Sequence, residues 1–222
     1  MLYSARVAAL LLVATLATRA DAQVPTTSKG DVTVPDRINA DQLRAGMRRL
    51  WVDHVIWTRE YIVNTIEADP SVDAATSRLM KNQVDIGTAL VPFYGKAVGD
   101  SLTVLLKQHI VIAGELVAAS RALSVAKATT NEDNAKVLAA DQRWRANAIA
   151  IATLLSSVNP YWPMNDLNAM LNEHLTLTAL EGKTRLDRNY SEDVATFDRI
   201  LTQSLVMANT LSEGIIKQFP NK

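Results

Sequence analysis

The sequence predicts an all-α fold: a single up-and-down bundle of about six helices. Three observations predict it. Seven prolines, at positions 25, 35, 70, 92, 160, 163 and 220, divide the chain into long proline-free stretches. Those stretches carry apolar residues spaced three and four apart, the period of a helix buried along one side. No stretch of useful length alternates apolar and polar residues as a half-buried strand would.

The elements follow in order. Helix one spans about residues 39–68, with Asn39 as N-cap and Gln42 completing a capping box. Its stripe includes Leu43, Met47, Trp51, Val55 and Ile62, and Asp69-Pro70 ends it. Helix two follows Ser71 to about Val91, with Ala75, Leu79 and Ile86 inward. Pro92 and Gly95 frame a turn holding Phe93 and Tyr94. Helix three covers about residues 96–123, with Leu102, Leu106 and Leu116 inward. Thr129-Thr130-Asn131 forms a loop, and Asn131 caps helix four, which ends near Ser157. The connector Asn159-Pro160-Tyr161-Trp162-Pro163 is rigid. Asn165 caps helix five, about residues 166–182. Helix six covers about residues 191–218, with Val194, Phe197, Leu201 and Leu211 inward. Short loops between long helices imply antiparallel neighbours.

The N-terminus reads as a cleavable signal peptide over residues 1–22. Arg6 supplies the basic region, residues 7–17 the apolar run, and Ala20-Asp21-Ala22 the small-x-small cleavage site. The apolar run falls short of the roughly 20 residues a membrane span needs. Residues 23–38 form an extended polar leader, and 39–222 the bundle domain. The expectation is an exported protein, periplasmic or extracellular, with no transmembrane anchor after cleavage. No later run reads as apolar enough for a membrane helix.

Composition excludes several functions. Lys and Arg together number 23 and balance 23 Asp and Glu, so the chain lacks a basic footprint for nucleic acid. Cysteine is absent, which removes disulfides, thiolate metal sites and cysteine nucleophiles. Glu-x-x-His pairs, His-Glu-x-x-His, Gly-x-Ser-x-Gly and phosphate-cradling glycine loops are all missing. The charged runs 44–49 and 185–193 read as solvated faces or helix ends.

The informative feature is the placement of the three histidines, His54, His109 and His174. Each lies in an apolar stripe, three or four residues from inward neighbours, and near the middle of its helix. With aligned antiparallel helices, Asn82, Trp144 and Ser204 share that level. An apolar core does not bury three imidazoles without partners, since each unsatisfied polar group costs about 1–3 kcal/mol. Two solutions fit. Either the histidines pair with nearby polar groups in a structural network or interaction scaffold, or they converge on one transition-metal ion such as Zn, Fe, Cu or Ni, or on a small ligand. In the metal arrangement Asn82 or Asp85 supplies an oxygen, and Asp53 and Glu173 stand behind the ligands. A third reading makes one histidine a general base beside Asp53 or Asp85. The sequence names no partner, protein or small molecule.

Several blocks carry a resemblance. They are Leu50-Trp51-Val52-Asp53-His54, Asn82-Gln83-Val84-Asp85, Pro92-Phe93-Tyr94-Gly95, Gln108-His109-Ile110, Trp144-Arg145-Ala146-Asn147, Asn159-Pro160-Tyr161-Trp162-Pro163, Glu173-His174-Leu175 and Gly214-Ile215-Ile216-Lys217-Gln218-Phe219-Pro220. Together the chain resembles a family of uncharacterised bacterial helical-bundle proteins, some labelled glycosyltransferase or acetylglutamate kinase. The resemblance implies that these polar blocks form one signature. Neither label has physical support here, because both chemistries need a phosphate-binding loop.

Overall fold

The computed structural model describes residues 39–126 and 130–221. The signal-peptide and leader readings, and Thr129 of the predicted loop, lie outside the described residues. The described chain forms six helices: α1 (Ala40–Glu67), α2 (Val72–Tyr94), α3 (Lys96–Val125), α4 (Asn131–Val158), α5 (Met164–Leu186) and α6 (Tyr190–Gln218). The all-α bundle expected from the sequence is the observed fold.

Local chemistry sets the ends. The Asn39–Gln42 capping box forms as expected. Helix α2 carries Pro92 inside its last turn, so Phe93 and Tyr94 are helical and the turn shrinks to Gly95 at φ +81°. A proline three residues from a helix end still clashes with the carbonyl four residues earlier, but little helix remains beyond it to disrupt. The α4 cap is Thr130, which forms a capping box with Asp133, and not Asn131. Helix α5 begins two residues earlier than expected, after Pro163 and without a side-chain cap, and continues past Gly182 to Leu186. Asn189 caps α6 through its side chain.

Neighbours in sequence are neighbours in space, and α6 returns to α1, so the six helices close into a ring. The odd-numbered helices α1, α3 and α5 also touch one another across the inside. They run the same way. Ile66 of α1 meets Arg121 of α3, and Glu67 of α1 meets Arg185 of α5. Among the described residues, helix α3 alone is long and apolar enough, at mean hydropathy 1.5, to cross a membrane by length and composition, which corrects the expectation that no later run would be. In the bundle it packs between α2 and α4.

The two halves of the bundle differ in filling. One half is a solid core of Met47, Trp51, Leu90, Leu106, Leu155, Trp162, Leu171, Met207 and Leu211. Glycine permits two close approaches there. Gly87 and Gly99 let α2 and α3 meet backbone to backbone, since a Cβ on Gly99 would lie 2.7 Å from the Gly87 carbonyl oxygen. Gly214 seats Trp162, whose Nε1 would be 2.0 Å from an added Cβ. Trp162 is fully enclosed and cannot swing aside. Gly214→Ala is therefore expected to cost about 3 kcal/mol, the upper end of overpacking, and urea unfolding of the variant measures it.

The other half is hollow. A cavity of about 600 Å³ runs along the inner axis between α1, α3, α4 and α5, toward the C-terminal ends of the odd helices.

Candidate functional site

The floor of this cavity is the histidine layer. His54 on α1, His109 on α3 and His174 on α5 all line it, and all are buried. The His54 and His174 rings lie 5.7 Å apart, centroid to centroid. His109 stacks obliquely on Trp144 at 5.2 Å, and His54 meets Trp51 edge-on at 5.5 Å.

Each histidine is held by the same device. Its Nδ1 faces the amide oxygen of the next helix in the chain: Asn82 Oδ1 at 3.3 Å for His54, Asn147 Oδ1 at 2.8 Å for His109, and Gln203 Oε1 at 3.3 Å for His174. The same amide donates its nitrogen to a backbone carbonyl four residues before the histidine. Asn82 donates to Leu50 at 3.0 Å, Asn147 to Leu105 at 3.2 Å, and Gln203 to Met170 at 3.0 Å. The three helical hairpins α1–α2, α3–α4 and α5–α6 thus repeat one tether.

The tether fixes the tautomer. The carbonyl bonds settle which end of each amide is oxygen, and that oxygen can only accept, so every Nδ1 carries a proton. Beside His54, the Gln83 amide nitrogen lies 3.4 Å from Nδ1, but closer acceptors, Leu79 O at 2.8 Å and Asn82 Oδ1 at 3.2 Å, take its two hydrogens. On each ring Nε2 is left as a lone-pair acceptor. Burial keeps the rings neutral. His54 is pushed down to about 3 by burial first, then by nearby His174 and His109. His109 and His174 are pushed down to about 4, chiefly by burial, against the hydrogen bonds of Asn147 and Gln203.

The other residues expected at this level divide. Asn82 and Trp144 are in the layer. Ser204 is buried but gives its hydroxyl proton to the Leu201 carbonyl and not to a histidine. Asp85 pairs with Lys81 on its own helix. Asp53 pairs with Arg78, and Glu173 is exposed on an outer groove between α5 and α6. Asp53 and Asp85 are thus paired with cations, Glu173 faces outward, and among the described residues none of the three bonds a histidine. Asp53 and Glu173 each precede a histidine by one residue, about 100° around the helix, and so face away from it. The general-base reading loses both its carboxylates. Among the described residues, no group of three or more His, Asp or Glu is placed to hold a metal ion. The imidazoles line the cavity, each bound through Nδ1 to its own amide.

Sequence reasoning missed Asn147 and Gln203 as partners and missed a second polar cluster. Arg59 bonds Glu181 and the two oxygens of Asp193, at 2.8 and 3.0 Å for the latter. Arg185 reaches Asp193 at 3.4 Å. Asp193 and Glu181 are each 1% exposed, so the run 185–193 is not a solvated face throughout. Val194, expected inward, is 55% exposed, and its neighbour Asp193 occupies the inner position. Burial pushes Glu181 up to about 7 against the opposing Arg59 contact.

Compared with family models, curated proteins and solved structures, the chain matches none.

Proposed function

We propose that this protein is an exported binding protein that holds a small, largely apolar molecule in the inner cavity, with its polar end on the three imidazoles. The observation that carries this is the conjunction of a cavity of about 600 Å³ with three tethered histidines on its floor. Small-molecule sites typically measure about 300–1,000 Å³, mostly apolar with a few fixed polar groups. Ile62, Leu79, Ile110 and Leu116 supply the apolar wall. The resemblance to uncharacterised bacterial helical bundles is consistent with this reading and adds no activity to it.

The test uses the mature chain. Solvent extraction followed by mass spectrometry should recover a co-purified apolar compound, or added apolar compounds should raise the melting temperature. Ala113→Phe places a ring in the cavity from α3 and should remove that binding while the helical circular dichroism persists. Equal uptake by wild type and A113F would place the ligand elsewhere. A stoichiometric metal ion whose removal by chelator lowers stability would replace this reading with a metal centre.

One observation favours a structural role for the layer as well. Every Nδ1 and every tethering amide is satisfied within its own hairpin, so the layer orders the bundle with the cavity empty or filled. Under a purely structural reading, no apolar compound shifts the melting temperature.

A further inference from the structure

The chemistry of the floor narrows the ligand further, on the premise that the cavity is the binding site. We infer that the cavity selects a neutral hydroxyl, an alcohol or phenol on an apolar body, over carboxylates and ammonium groups.

The tethers commit every Nδ1–H to an amide oxygen, so the rings offer the cavity three acceptors and no proton. Beside them, the Trp144 indole N–H is buried and has no partner among the described residues. Trp144 is among the residues that line the cavity and its ring touches that of His109, but the N–H itself is closed off from the open space. A hydroxyl suits the imidazoles, giving its proton to an Nε2. A carboxylate can only accept, so at the imidazoles it would face lone pairs, and the lining cation Lys183 is already paired with Asp187. An ammonium can only donate, and it would shed its water with no free carboxylate nearby. The carboxylates that line the cavity are already engaged, Asp141 with Arg145 at 2.9 Å and Asp187 with Lys183. Burying an unpaired charge costs far more than burying a hydrogen-bonded hydroxyl.

The experiment compares four ligands of one chain length, decane, decanol, decanoate and decylamine, titrated into the mature chain at pH 7.5 and followed by calorimetry or tryptophan fluorescence. Decanol should bind at least about tenfold more tightly than the acid and the amine, the worth of one buried hydrogen bond. In His109→Phe that preference should shrink while affinity for decane is kept. Should all four bind alike, or the acid bind best, the cavity is a binding site without this selectivity and the inference falls alone. Should none bind, decane included, the binding reading itself fails and takes the inference with it.

Discussion

Acidification from pH 7 to pH 5 is expected to cost the bundle roughly 3–4 kcal/mol, the net of two opposed titrations. The three histidines have folded pKa values of about 3, 4 and 4, below the unfolded value of 6.5. Between those limits the unfolded chain binds more protons than the folded one. Their contribution is therefore complete above about pH 6.5 and drains away as the pH falls, by about 2 kcal/mol per histidine at pH 5. Glu181 works the other way. Its folded value of about 7 exceeds the ordinary value of 4.5, so the folded state takes up its proton first. Acidification through that window returns about 2 kcal/mol. Urea unfolding midpoints taken across this range test the balance. A flat profile would show that the imidazoles are not buried neutral. Replacing Glu181 with Gln should steepen the acid loss, because the offset disappears.

Arg59→Ala is expected to destabilise the fold by about 3–5 kcal/mol, the cost of leaving a buried charge without its partner. The guanidinium contacts two carboxylates that are each 1% exposed, and it also lies over the Phe197 ring at 4.8 Å. Its loss strands Asp193 with only the longer Arg185 contact. Arg59→Lys should recover part of the loss, since a single ammonium cannot fork to both carboxylates. Thermal unfolding of the two variants at pH 7.5 measures the difference. A change below 1 kcal/mol for Arg59→Ala would mean that water reaches the cluster.

The contrast between these groups explains how much the sequence could reveal. The histidines were readable because helical period is local. His54, His109 and His174 each sit on an apolar face defined by residues three and four away. Trp144 and Asn82 followed from register in an antiparallel bundle. The tethers were not readable, because Asn147 and Gln203 act across a hairpin on carbonyls that no side-chain pattern marks. Asp53 and Glu173 adjoin a histidine in sequence but point about 100° away from it around the helix, and Asp85 pairs with Lys81. Asp193 was hidden in a run of charges. Only the return of α6 to α1 brings Arg59 to it, and nothing in the spacing of residues 59 and 193 announces that contact. The cavity was invisible for a related reason, since apolar side chains lining a space look like apolar side chains filling it.

The closing of α6 onto α1 has a consequence for the order of the chain itself. Arg44 bonds Glu213, and Arg48 bonds Asn209 at 2.8 Å, so the start of the first helix lies against the end of the last. The three hairpins form a circle in which no hairpin is first except by the accident of where the polypeptide was cut. A circular permutant that joins Gln218 to Ala40 through a short linker and opens the chain at Gly95 would keep each tether within its own hairpin. The connection between hairpins serves to bring the three stations together, and the sequence in which they are translated is free to rotate.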